Sequence, residues 1–148
     1  MALPPFNREG ELPPGVHRAT LAEALDRFGH GSLQRRAVAD RLRRVYQLVL
    51  STGHLARFVT FGSFVTAKPE PNDIDIVVLM ENTFDLASVT GEASLVFQHM
   101  EATAHFGASV FWTRRLGALG GEQAMIEYWQ FRRDGGLRGI VEIVPEEK

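Results

Sequence analysis

The sequence predicts an α/β domain: a small mixed β-sheet flanked by helices. Three observations carry this expectation. Val38, Leu42, Val45 and Val49 recur at helical spacing. Residues 57–61 and 73–80 are short runs rich in β-branched and aromatic side chains, as strands require. Helices and strands are interleaved along the chain, with non-adjacent and mixed strand pairings, which argues for helices layered on a sheet. At 148 residues the chain is most simply one domain, with residues 1–19 as an N-terminal arm and 20–148 as the domain.

The arm is rich in Pro and Gly and lacks periodicity, so it is expected to pack as a loop, frayed over Met1 to Glu9. Thr20-Leu21-Ala22-Glu23 has the form of a capping box and opens a short helix ending near Phe28-Gly29. Just before it, His17 reads as a turn residue in preference to a ligand or base. Ser32 caps a second helix from about Leu33 to Ser51, closed by Gly53. Its Arg35, Arg36, Arg41, Arg43 and Arg44 crowd the side away from the apolar stripe, a solvated face first and a nucleic-acid or acidic-partner surface second.

Arg57 to Phe61 reads as a strand and Asp73 to Met80 as a second, more central one. Residues 81–90 are polar and irregular. A helix follows from Glu92 to Phe106, with Leu95, Val96, His99, Met100 and Thr103 on one side and His99 as a core histidine. Ala108 to Thr113 is the third strand, Glu122 to Arg133 a helix burying Met125, Ile126 and Trp129, and Leu137 to Val144 the last strand after the turn Asp134-Gly135-Gly136.

Bulk properties narrow the function classes. A net charge of −2 does not mark the whole surface as a nucleic-acid binder. The absence of cysteine removes disulfides, thiolate zinc sites and cysteine nucleophiles, and fits a cytoplasmic location. No apolar run is long enough to span a bilayer, and the N-terminus lacks the regions of a signal peptide, so a soluble protein without a membrane partner is expected.

The chemistry concentrates in Phe61-Gly62-Ser63, followed after nine residues by Asp73-Ile74-Asp75-Ile76. Side chains two apart on a strand share a face, so Asp73 and Asp75 project together, with Ile74, Ile76 and Val78 opposite. Two ionised carboxylates in an otherwise apolar run are costly unless paired or coordinated. Hard oxygen ligands of this kind suit Mg2+, or Mn2+, completed by water and substrate phosphates. Gly62 lets backbone approach a phosphate, and Ser63 offers a hydroxyl at the start of a helical turn. Lys68, in the Pro-rich loop that follows, is within the stretch able to reach a triphosphate, or is an exposed loop lysine. An Asp-x-Asp alone is commonly structural; the combination with strand, Gly-Ser and loop raises its meaning.

This pattern resembles the signature of the DNA polymerase beta-like nucleotidyltransferase superfamily: hydrophobic residue, Gly, Gly or Ser, spacer, then acid, hydrophobic, acid, hydrophobic. The stretches Leu12-Pro13-Pro14-Gly15-Val16-His17 and Gly62 to Asp73 are also similar to a small stand-alone bacterial nucleotidyltransferase-like family. The resemblance implies a polymerase beta-like core, a nucleoside triphosphate as substrate with Mg2+ or Mn2+ on Asp73 and Asp75, and Gly62, Ser63 and Lys68 on the phosphates. It implies transfer of a nucleoside monophosphate, AMP from ATP, to a hydroxyl of a protein, RNA or small molecule.

In active members a third carboxylate comes from the strand after the paired acids. Here that strand has Ser109 in its place, and a serine cannot act as a carboxylate base at neutral pH. Glu142 is the only acid inside a later strand: it either substitutes as a third catalytic acid or faces water as an edge-strand glutamate, the reading preferred on edge-strand grounds. The alternative function is therefore a catalytically degenerate binding module, or an antitoxin-like partner protein of the same fold.

Overall fold

The computed structural model describes residues 3–146. Five strands, β1 (Val16–Thr20), β2 (Leu55–Phe61), β3 (Ile74–Met80), β4 (Ala108–Arg114) and β5 (Ile140–Val144), form one sheet in the order β1-β5-β2-β3-β4. The outer pairs β1/β5 and β3/β4 are parallel and the inner pairs antiparallel, so the sheet is mixed as expected. Five helices accompany it among the described residues: α1 (Leu21–Phe28), α2 (Leu33–Ser51), α3 (Glu92–Val96), α4 (His99–Phe106) and α5 (Glu122–Tyr128). None is long and apolar enough to cross a membrane.

The period of the strands sorts the two faces. Ile74, Ile76, Val78 and Met80 of β3 point to the side of α1–α4, where they join Phe58, Val110, Val141, Leu42, Val45, Phe28 and Phe106 in the main core. Fully burying an aliphatic side chain of this kind stabilises the fold by roughly 1.5–3 kcal/mol, so this face holds the domain together. Residues 75, 77 and 79 point the other way, where Val59, Val77, Leu79 and Ile140 meet Ile126 of α5 in a smaller cluster. Because α5 has only seven residues, it covers only part of that face.

Local signals explain most boundaries. The capping box is formed, Thr20 accepting from the Glu23 amide while Glu23 accepts from the Thr20 amide at 2.9 Å. Ser32 caps α2 by accepting from the Arg35 amide, and Gly53, at φ 76°, turns the chain out of that helix.

Five expectations are corrected. Residues 16–19 belong to strand β1, parallel to β5, and Leu12 is fully buried. Of the segment expected to fray, Met1 and Ala2 lie outside the described residues, whereas Leu3 and Phe6 pack on the core and Arg27 donates to the Leu3 and Pro4 carbonyls. The helix expected over 92–106 breaks at Phe97-Gln98. The break rotates the second half so that Ala102 and Phe106 are buried while His99, Met100 and Thr103 are exposed. The helix expected to reach Arg133 stops at Tyr128; Phe131 pairs with Leu137 and the last strand starts at Ile140. Finally, β5 lies inside the sheet, so Glu142 is not on an edge.

Candidate functional site

The less covered face carries the paired acids. Ile74 begins β3, so Asp73 sits just ahead of the strand, exposed, and Asp75 is half-buried inside it. Phe61 of β2 lies opposite Asp75 on one side and Ser109 of β4 on the other. Gly62 follows Phe61 with φ 83° and ψ −161°, a conformation that L side chains rarely adopt. A Cβ at Gly62 would lie 2.2 Å from Asp75 Oδ2. Glycine is therefore required twice here, for its backbone angle and for the room it leaves the carboxylate.

Neither Asp73 nor Asp75 accepts a side-chain hydrogen bond or forms an ion pair within the described residues. Burial, joined by the neighbouring Asp73 charge, pushes the Asp75 carboxyl up to about 6, against a smaller downward pull from Arg138 and Arg133. Two close carboxylates with no contacting cation are what a divalent cation relieves, and Mg2+ is commonly held by one or two carboxylates with the remaining positions on water and phosphate oxygens. Among the described residues no group of three or more His, Cys, Asp or Glu gathers to enclose a metal. The donors therefore fit an ion shared with a phosphate-bearing substrate, and not an all-protein cage.

The turn after Gly62 is a single 3-10 turn, Ser63–Val65. Thr66 closes it, its hydroxyl donating to the Ser63 carbonyl at 2.7 Å. Three residues make no helix dipole worth naming, so any phosphate contact here rests on individual amides and the Ser63 hydroxyl, which has no hydrogen-bond partner among the described residues. The Pro-rich loop then bends at Pro69-Glu70 on its way to Asp73, and α2 holds it in place. Arg35, only 7% exposed, donates to the carbonyls of Phe28 (3.1 Å), Phe64 (2.9 Å), Thr66 (2.5 Å) and Lys68 (2.5 Å). Ser32 donates to the Pro69 carbonyl, Gln34 to Pro71 and Arg41 to Asn72. Arg35 thus leaves the solvated face expected of it, and burial lowers its pKa from the ordinary value. A cation with four carbonyls and no carboxylate is a brace for the loop that separates the motif strands.

Lys68 is exposed and lines a cleft of about 480 Å3 together with Ser63, Thr66, Glu11 and Arg138. Its ammonium has no ion pair among the described residues, so it is positioned beside Ser63 and free to meet an anion. A second cleft of the same size lies on the helix side between α2 and α4. Its charges answer one another, Glu92 taking both Arg44 and His105.

Glu142 is not brought to the acids. It shares their face, but it stands opposite Val59, in the row next to that of Asp75 and two strands away. Arg57 holds it bidentately, Nε to Oε2 at 3.0 Å and Nη2 to Oε1 at 2.7 Å, and Arg18 Nε lies 3.9 Å away. The hydrogen bond to Glu142 is the main reason that the Arg57 pKa is raised. Both proposed destinies of Glu142 are corrected: it neither faces water nor joins Asp73 and Asp75, because a half-buried arginine on the adjacent strand neutralises it. His17 donates to or accepts nothing catalytic; its Nε2 lies 2.7 Å from the Pro13 carbonyl oxygen.

Two residues not singled out in the sequence belong here. Arg133 and Arg138 act electrostatically on Asp75 from the hairpin after α5. That hairpin is set by the Arg138 amide on the Gln130 carbonyl (3.0 Å), the Arg132 amide on the Gly136 carbonyl (2.8 Å) and the Gly136 amide on Asp134 Oδ1 (2.9 Å). Arg132 is consumed by Glu9, Glu11 and Asp134, and Arg138 reaches Glu11 at 3.4 Å. Arg133 is exposed and forms no ion pair among the described residues. The signal for them was the Asp134-Gly135-Gly136 turn, which folds the preceding arginine back toward the last strand.

No curated protein and no solved structure matches the chain. The profile of a family described as a family of unknown function, DUF6932, matches residues 4–144, which include every residue of the site. The chain belongs to that family.

Proposed function

We propose that the protein is a metal-dependent nucleotidyltransferase that moves a nucleoside monophosphate, AMP from ATP, onto a hydroxyl group. The observation that carries this reading is the Asp73/Asp75 pair: two adjacent carboxylates without a contacting cation among the described residues, one of them half-buried beside Gly62 and pushed up to about 6. Asp73 and Asp75 would hold Mg2+ or Mn2+, which supplies charge neutralisation on the triphosphate. Ser63 and Lys68 border the phosphates, and Arg133 and Arg138 offset negative charge as pyrophosphate departs. The acceptor oxygen bonds to the α-phosphorus, the bond from that phosphorus to the bridging oxygen breaks, pyrophosphate leaves, and the hydroxyl proton passes to water or to Asp75. Positioning and electrostatics do most of the work, as in phosphoryl-type transfer generally. The absence of cysteine fits work in the cytoplasm.

A second reading has its own observation. Ser109 pairs with Asp75 at the register position where the superfamily pattern expects an acid, which favours a domain that binds nucleotide or a partner protein without turnover. The test is incubation with labelled ATP, CTP, GTP and UTP and Mg2+ or Mn2+, with and without the product of the neighbouring gene. Label transferred by the wild type and absent with Asp73→Ala/Asp75→Ala supports the enzyme. Transfer that persists in the double variant refutes the site, and nucleotide binding without transfer selects the second reading.

A further inference from the structure

An aromatic run leads outward from the acids. Phe61, opposite Asp75, stacks on Trp129 at 4.8 Å and 35°, and Phe111 of β4 meets the same indole at 5.0 Å and 32°. Trp129 therefore spans β3 beside the acid pair. Tyr128 packs edge-on against it at 5.5 Å, and Phe131 continues the run, 6.4 Å from Tyr128. Its outer members are open to solvent: Phe111 is 40%, Tyr128 63% and Phe131 59% exposed. Trp129 Nε1 is buried without a hydrogen-bond partner among the described residues, an uncommon state for an indole donor. Arg133, exposed and without an ion pair among the described residues, is in the same hairpin.

We propose that this run is a stacking platform for a single strand of nucleic acid, which delivers its terminal hydroxyl to Asp73 and Asp75; its role as acceptor rests on the nucleotidyl-transfer reading, its binding does not. Every base has a π-face, so exposed aromatic rings beside an uncommitted arginine bind unstacked strands whatever their sequence. The 6.4 Å between the Tyr128 and Phe131 rings is roughly twice the ~3.4 Å rise of a stacked strand. It therefore suits an extended strand with its bases separated, and not a duplex. Arg133, with no ion pair among the described residues, supplies local positive charge for the backbone although the chain as a whole carries −2, whereas Arg138 is shared with Glu11 at 3.4 Å.

The test uses the full chain carrying Trp112→Phe, which leaves Trp129 as its single tryptophan. An eight-nucleotide RNA, an inorganic polyphosphate of equal charge and an acidic peptide rich in apolar residues are each titrated without metal or nucleoside triphosphate, reading Trp129 fluorescence and, for the RNA, anisotropy. RNA is expected to quench Trp129, with affinity weakened roughly 5- to 150-fold by Tyr128→Ala and by Phe131→Ala, the range for loss of one stacked base. Arg133→Ala should weaken binding uniformly across sequences and reduce the salt slope by about 1. Both aromatic side chains are exposed, so unchanged melting temperatures separate lost stacking from lost folding. Polyphosphate binding as tightly as RNA, indifference of RNA binding to both aromatic variants, or binding of the peptide alone would each overturn the platform. RNA binding without label transfer keeps the platform and counts against nucleotidyl transfer; transfer to another acceptor with no RNA binding does the reverse.

Discussion

Two acids on one face of one sheet have opposite fates. Glu142 is 5% exposed and clasped by Arg57 at 3.0 and 2.7 Å; Asp75, two strands away, touches no cation among the described residues and has its pKa pushed up to about 6. Burial alone would disfavour both. One charge is neutralised by the fold and the other is left for something that the fold does not supply. Energy given up in a native structure in this way is more often the mark of a site than of a scaffold, which makes Asp75 the candidate and Glu142 the structural acid.

The largest effect is expected at Glu142. Glu142→Ala takes the bidentate partner from Arg57, leaving it Gln123 at 3.0 Å and Glu122 at 3.7 Å, and should lower stability by about 2 kcal/mol, a fall in melting temperature of roughly 6 °C, while metal-dependent nucleotide affinity measured below the transition stays unchanged. Lost affinity in a folded variant would return Glu142 to the site. Gly62→Ala comes next. Its Cβ would sit 2.2 Å from Asp75 Oδ2 at φ 83°, whereas Gly53, at φ 76°, has nothing within 4 Å of a built Cβ. Gly53→Ala should cost about 1 kcal/mol from backbone strain alone and Gly62→Ala up to about 2 kcal/mol. Equal losses in denaturant titrations would remove the special contact with Asp75.

Asp75→Asn should act in the opposite direction to Glu142→Ala. A carboxyl raised from 3.8 to about 6 binds more protons folded than unfolded between those values, so the stability of the wild type falls as pH rises through that window. Asn removes the burden and should stabilise the protein at pH 7 by ~1 kcal/mol, after discounting for partial solvent screening. It should also flatten the pH dependence between 4 and 6 in urea melts, and an unchanged slope would show that Asp75 carries no such burden. Smallest is Ser109→Asp, which places an acid in register with Asp75. We expect Mn2+ affinity to rise a few-fold, roughly 0.5–1 kcal/mol, with stability slightly lower in the metal-free protein. Weaker Mn2+ binding would separate that position from the metal.

The legible parts of the molecule were those written locally. The cap residues Thr20 and Ser32, the stop at Gly53 and the alternation Asp75/Ile76 across β3 each need only neighbours in sequence, and the structure has them where those signals place them. What was hidden depends on distant pairing. Strand β1 exists because Val16 meets Ile140, which no pattern in a Pro-rich arm announces. Arg35 reads as one of several helix-face arginines until Phe64, Thr66 and Lys68 turn their carbonyls to it. Glu142 looked like an edge residue because β5 is last in sequence, yet it inserts between β1 and β2. Arg133 and Arg138 gained meaning only when the hairpin folded them toward Asp75.

The most direct measurement of the central claim is calorimetric titration of ATP into wild type and Asp73→Ala/Asp75→Ala, each with and without millimolar Mg2+. Wild type is expected to bind ATP only with Mg2+, and that binding disappears in the folded double variant. ATP binding that is equally tight without metal, or that survives loss of both acids, would contradict the claim.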